Sequence, residues 1–379
     1  MADNINKKRI LEEFYELVRM PCNTKDERQI VDLMQKRLKE LGAAEIVEDD
    51  AGNKIGGNAG NTFAYFKGTL PNVPCIMLNA HVDCVKPCVG IEPVLVDGVI
   101  RSKGDTILGA DDKVGVVAIL ETMRVLREKN IPHGDIQVVF TVAEEGGVYG
   151  SRNMNPDYLK AKYGYAMDGP GHPGRVILSA PGQFKIFAEF KGKKSHAGIS
   201  PELGLNAIVI AAKAIAQVPD GRIDNETTCN VGMIQAGEST NIVPDRCLVT
   251  SEVRSRDYEK LEKLRDKIID TFKRVAKENN SDVEIKTDRA YAPFKLKETD
   301  EVIRVALEAA RNIGLDDVGV EDGGGGSDAN HINGFGIPVP AMACGIFGAH
   351  TLEEYTPESE LYETAEWCVE IVKVVAKGN

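Results

Sequence analysis

Five places along the chain offer side chains able to bind a metal ion or carry a proton: His81 with Asp83, Asp111 with Asp112, Glu144 with Glu145, Asp168, and His350. Each but the second follows an apolar run. "CIMLNA" leads into His81, "DIQVVFTVA" into Glu144, "YGYAM" into Asp168, and "VPAMACGIF" ends shortly before His350. A protein core has no use for titratable groups in those positions. In "HVD" the aspartate can accept one ring N–H of the histidine, which fixes the tautomer and makes the other nitrogen a better ligand. "GADDKVG" enters a helix, where Asp112 reads as an N-terminal cap and Asp111 less so. Taken alone, "EEGG" reads as a solvated turn and Asp168 as a turn residue. Together these groups on one sheet edge would repel one another unless a cation sat among them. Two histidines with several carboxylates suit zinc. Two ions roughly 3.5–4 Å apart need about three protein ligands each, a demand that one bridging carboxylate helps to meet. A carboxylate left off the metals would then be the general base for an activated water.

For these residues to converge, the strands that carry them must run parallel, with ligands bound beyond their carboxyl ends. The sequence supports this. Val138, Val139 and Phe140 form a continuous apolar run, as in a strand buried on both faces, and strands alternate with helices. The first helix sets Ile10, Leu11, Phe14, Leu17 and Val18 on one side and ends at Pro21. A second is expected from Thr24 to Gly42, opened by "TKDE" as a capping box with Glu27 reaching back. "GADDKVGVVAILETMRVLREKN" reads as a helix entered from a loop. The texture changes near Pro181, where Phe184, Ile186, Ala188 and Phe190 alternate as on a strand with one wet face. A helix with Leu205, Ile208, Val209, Ala212 and Ile215 follows, then "TTCNVGMIQAG" and "CLVTSEVRS" as strands. A helix with Leu261, Leu264, Ile268, Phe272 and Val275 comes next, and the strand "DVEIKTDRA" closes the set. That order is the order of a ferredoxin-like α+β unit. The expectation is an α/β domain over 1–180 and 291–379, with a mostly parallel sheet flanked by helices, interrupted by a smaller α+β lid domain over 181–290.

With 379 residues, 42% of them hydrophobic and 27% charged, the chain reads as a soluble globular protein of two domains. Lysine and arginine number 46 against 58 acidic residues, a net charge of −12, which argues against nucleic acid or an anionic membrane as partner. No apolar run reaches the 18 or so residues of a membrane span, and the start lacks the pattern of a signal peptide. Eight cysteines without a CxxC pair fit a reducing compartment, so the expected location is the cytoplasm. "GPGHPG" satisfies G-x-G-x-x-G, but its two prolines and the strand-like "RVILSA" after it exclude a dinucleotide site.

The motifs "HVD", "GADDKVG", "AEEGG", "MDG", "KSHAG", "STNIVPDRC", "GGGSDAN" and the late "GAH" occur in the order found in the aminoacylase/carboxypeptidase G/peptidase T family of di-zinc exopeptidases. The chain resembles that family over nearly its whole length, and "NAHVDCV", "GADDKVGV" and "TVAEEGG" look most like its peptidase T branch. The resemblance implies two Zn2+ per subunit, with Co2+ or Mn2+ as substitutes. His81, Asp111 and Asp168 would hold the first ion, and Asp111, Glu145 and His350 the second. Glu144 would be the general base, Asp83 the residue orienting His81, and a cis peptide would join Asp111 to Asp112. His196, Asn241 and Arg254 match lid positions that touch substrate, and the lid would also form a homodimer. Each of the three also fits a plainer role: surface residue, turn residue, and strand residue paired with lid carboxylates. The implied reaction is hydrolysis of a peptide bond near the free N-terminus of small peptides, as in a tripeptide aminopeptidase. The alternative is a deacylase or carboxypeptidase acting on N-acyl amino acids or dipeptides. Asp168 favours the aminopeptidase, because deacylase and carboxypeptidase members usually carry glutamate there. In peptidase T proper an arginine precedes the loop that here reads Gly323 to Gly326, so strict tripeptide specificity does not follow.

Overall fold

The computed structural model describes residues 5–378; positions 1–4 and 379, at the ends of the expected catalytic domain, lie outside them. The chain divides into two units. One holds the chain through Ser179, Lys295–Gly323 and the stretch from Ser327 on; the other holds Ala180–Phe294 with Gly324–Gly326. The three glycines were expected with the larger unit. They go with the smaller one because a Cβ on Gly326 would stand 2.2 Å from the Tyr291 ring, a contact only glycine allows.

In the larger unit a mixed sheet runs in the order Glu45–Glu48, Thr62–Phe66, Ile136–Thr141, Ile76–His81, Tyr163–Pro170, Ala341–Ile346, Arg175–Ala180. The four central strands, from Ile136–Thr141 to Ala341–Ile346, are mutually parallel, and antiparallel pairs flank them. Every residue of Ile76–His81, Ile136–Thr141 and Ala341–Ile346 is buried, which is why these runs read as continuously apolar. The helix Ala110–Glu128 packs on Ile76–His81 and Tyr163–Pro170, and Glu358–Lys377 packs on that helix and on Glu301–Ile313. Buried Trp367 donates its Nε1 to Ala306 O at 2.9 Å, tying the last helix to Glu301–Ile313. The α/β class expected from the sequence is the one found.

Two helix expectations need correction. The second helix spans Arg28–Glu40, and no capping box forms at Thr24. Thr24 Oγ1 donates to Asp83 Oδ2 at 2.7 Å, while Glu27 Oε1 accepts from Lys25 N and Ala143 N. These side chains have tertiary partners that outcompete the local pairing. In the smaller unit the helix Ala207–Ile215 buries Ala207, Ile210, Ala211 and Ala214, leaving Ile208 and Val209 exposed. The helix is apolar nearly all round, and its alanine stripe allows the closer approach to the sheet.

That smaller unit is an antiparallel sheet in the order Thr227–Ala236, Arg246–Ser255, Gly182–Lys191, Val283–Tyr291, with Gly221–Arg222 beside the first. Phe184, Ile186, Ala188 and Phe190 point into its core against Leu261, Leu264, Ile268 and Phe272 of the helix Tyr258–Glu278. Strand order and helix placement match the ferredoxin-like expectation. Among the described residues no helix is long and apolar enough to cross a membrane.

Candidate metal centre

Sheet register brings the chemistry to one edge. His81 stands opposite Thr141, and Asn79 opposite Ala166, so that Asp168 is level with His81. Residues 142–145 continue beyond Thr141 at the same end, and His350 follows the parallel strand Ala341–Ile346. Asp111 enters from the start of Ala110–Glu128, and the bond to Asp112 is cis. Asp112 is a cap, its Oδ1 accepting from Gly115 N at 3.1 Å and its Oδ2 from His81 N at 3.2 Å.

Asp111 lies between two imidazoles. Its Oδ1 is 3.1 Å from His81 Nε2 and its Oδ2 is 3.4 Å from His350 Nε2. Asp168 Oδ1 is 3.6 Å from His81 Nε2, and Glu145 Oε2 is 2.7 Å from His350 Nε2. His81, Asp111 and Glu145 offer ligand atoms all within 4.8 Å of one another, and so do His81, Asp112 and Asp168. The structure thus brings all five expected metal ligands together. Glu145 Oε1 is buried without a hydrogen-bond partner. A carboxylate oxygen left that way is costly, and the donor set around it is one that divalent ions fit.

The electrostatics agree. Burial, Asp168 and Asp328 push the Glu144 carboxyl well above its ordinary range. Burial, reinforced by Asp111 and Asp328, pushes Asp168 up to about 7. Asp111 goes the other way: against the cost of burial, His350 and His81 hold it far below the usual carboxylate range. Asp111 and then Glu145 push His350 up to about 10. Carboxylates raised by one another and imidazoles raised by carboxylates describe a site with excess negative charge, which a cation would relieve.

Around the ligands lies a shell that the sequence disclosed only in part. Asp83 is fully buried, with Oδ1 3.4 Å from His81 Nδ1. It also accepts from Glu144 N at 2.9 Å, Glu145 N at 3.3 Å and Thr24 Oγ1. One carboxylate therefore fixes the loop that carries Glu144 and stands beside the histidine ring. Glu27 holds Ala143, a left-handed residue (φ 51°) just before that loop. Buried Lys113 donates to Val82 O at 2.8 Å and Asp83 O at 3.2 Å. Its place in "GADDKVG" was the available signal; Thr24 and Glu27 gave none beyond the misread capping box.

In the smaller unit His196 pairs with Ile242 as an isolated bridge, and Ala197 N donates to Asn241 O at 2.9 Å, so His196 and Asn241 are neighbours on an exposed face. Arg254 is not with them. It lies on Arg246–Ser255 and pairs with Glu252 at 2.9 Å, the plainer role allowed for it.

Three comparisons bear on this arrangement. The sequence pattern of peptidase family M20/M25/M40 matches residues 77–374. Uncharacterized protein YqjE of Bacillus subtilis (strain 168) is 41% identical over 373 residues, covering 98% of this chain and all of its own. Aminopeptidase PepT from Bacillus cereus ATCC 10987 superposes with a TM-score of 0.91 at 43% identity, covering 98% of this chain and 100% of the other. A tripeptidase from Staphylococcus aureus gives 0.94 at 38% identity, with 98% and 99% covered.

Proposed function

The chain belongs to peptidase family M20/M25/M40, and from that premise we propose that it removes residues from the free N-terminus of small peptides with two divalent ions bound at this centre. The observation that carries the reading is Asp111, whose two oxygens face two different imidazoles while Glu144 sits in a loop locked to the same aspartate that orients His81. His81, Asp111 and Asp168 would hold one ion, and Asp111, Glu145 and His350 the other; zinc would suit this donor set, with cobalt or manganese as substitutes. When bound, such ions supply Lewis acidity, which makes water reactive near neutral pH and polarises the scissile carbonyl.

The protein's own groups do the rest. Glu144 accepts a proton from the attacking water as its oxygen bonds to the carbonyl carbon, and returns it to the amine as the C–N bond breaks. Asp83 keeps Glu144 and the His81 ring in place. His196 and Asn241 are assigned to the carbonyl oxygen and substrate backbone, and Arg254 to substrate, all from the lid domain. A second copy is assigned to the lid's exposed apolar edge, and the cytoplasm suits eight cysteines that are all free thiols.

Similarity to an aminopeptidase and a tripeptidase supports a substrate with a free amino group. The test is a panel of di- and tripeptides against their N-acetylated forms, with metal analysis of the purified protein. Cleavage confined to the free-amino peptides is expected; cleavage of only the acetylated ones would indicate a deacylase and overturn the assignment. Glu144→Gln should keep both ions and lose turnover by about 10²–10⁴-fold, the usual contribution of a general base. Wild-type turnover in that variant would remove Glu144 from the role.

A further inference from the structure

The loop that carries His350 also carries Glu354, a carboxylate only 2% exposed. Its Oε2 accepts from Leu108 N at 2.9 Å and Gly109 N at 2.6 Å, and its Oε1 from Asp111 N at 3.0 Å. These N–H groups belong to the turn that leads into the helix Ala110–Glu128, whose first residues Asp111 and Asp112 still have non-helical backbones. Within that turn Gly109 has a left-handed backbone (φ 73°) and no side chain to satisfy them. A Cβ there would stand 2.9 Å from Cys84 Sγ, so no capping side chain fits without a shift. Buried main-chain N–H groups need an acceptor. Glu354 supplies one from 243 residues further along the chain.

Glu354 is itself well anchored. Phe347 and Tyr355 exchange main-chain hydrogen bonds of 3.1 and 2.9 Å that close the loop between them. Tyr355–Pro357 then runs antiparallel to Val99–Ser102, and Arg101 lies 4.4 Å from the centre of the Tyr355 ring. The carboxylate therefore stands on a ladder, four residues after His350, and grips the main chain of Asp111.

We propose that Glu354 is a positioning residue that sets Asp111 against His350 and so builds the shared wall of the two-ion site. The inference rests on the two-ion reading above. Without Glu354 neither Asp111 N nor the turn before it has an acceptor, and the spacing between Asp111 Oδ2 and His350 Nε2 is no longer enforced. Glutamine at this position keeps the size of the side chain but turns one oxygen into a donor, so an N–H of Leu108, Gly109 or Asp111 must face an NH2.

The test is calorimetric titration of the metal-stripped chain with Zn2+, alongside thermal unfolding of the stripped protein and steady-state kinetics. Glu354→Gln should weaken one of two binding steps by about 10–100-fold, the usual effect of losing an outer partner of a metal site. Its kcat should fall with KM little changed and recover in excess Zn2+, while the exposed neighbour Glu353→Gln matches wild type. Glu354→Asp, which keeps the charge but draws it back, should show the same loss in weaker form, and it serves if the glutamine variant does not fold. Two wild-type binding steps in whichever variant folds would overturn the inference, even if its stability fell. A wild-type chain that binds fewer than two ions would overturn the two-ion reading instead, and this inference with it.

Discussion

Asp83 does more at this site than the histidine it orients. Three donors bond its carboxylate, the Thr24 hydroxyl and the N–H groups of Glu144 and Glu145, and the His81 ring stands 3.4 Å away. Asparagine there would present one oxygen and one NH2, so at least one of those donors would meet a donor. Asp83→Asn should lower kcat about 10–100-fold with KM little changed, since the loss falls on positioning of Glu144 and His81. Steady-state kinetics check this, and a variant with wild-type kcat would show that the loop holds Glu144 without it. The histidine–aspartate pair was legible because both members sit two residues apart. Thr24 was not, because "TKDE" satisfies a local rule whose donors and acceptors are taken by residues 59 and 116 positions away. Glu354 was invisible for the same reason: nothing near it in sequence marks it as the acceptor for a distant turn.

At the scale of elements, a strand's end was read more reliably than a helix's face. The strands that carry the site are buried on both sides, and Gly182–Lys191 and Arg246–Ser255 alternate; either pattern survives without knowledge of neighbours. The helix Ala207–Ile215 is apolar on more than one side, so periodicity could not tell which stripe would meet the sheet. Its larger residues remain outside: Ile208 and Val209 are 37% and 47% exposed, and Met233 and Ile234 on the neighbouring strand are 54% and 52% exposed. Among the described residues that strand, Thr227–Ala236, is paired beyond its inner partner at Thr227 to Cys229, by residues 221–224. An open edge beside exposed apolar side chains is a surface that needs a partner, and a second copy of the same edge can supply both the main-chain pairing and the apolar cover. Light scattering should therefore give a dimer for the wild-type chain. Met233→Lys or Val209→Glu should give a monomer that unfolds at nearly the same temperature. A monomeric wild type would leave this edge without the assigned partner.

The whole molecule places a cluster of titratable groups inside its larger core, and this links its stability to pH and to metal. Burial, with Asp83, pushes Glu27 up to about 7, and burial with Asp111 and Asp328 does the same to Asp168. Both are raised above their unfolded values, so between about pH 4 and 7 the folded chain holds more protons than the unfolded one. Stability then falls as pH rises through that interval. His350, raised by Asp111 and Glu145 to about 10, extends the same sign to higher pH. Asp111 and Asp83, whose affinities are lowered, are ionised in both states above about pH 5 and leave the slope unchanged there. Ligands must shed protons to bind an ion, so metal affinity runs in the opposite sense. Ions that bind only the folded state add about 2.7 kcal/mol at a hundredfold excess over Kd. Thermal scans of the chelator-treated protein should show a melting temperature that falls from about pH 5 to 8. The upward shift on adding Zn2+ should widen over the same interval. All the groups concerned belong to the larger unit, so where two transitions are resolved, only one should move. A melting temperature of the stripped protein that is flat in pH would mean these carboxylates are ionised in the folded chain without a cation to hold them, contrary to the charge balance of the site.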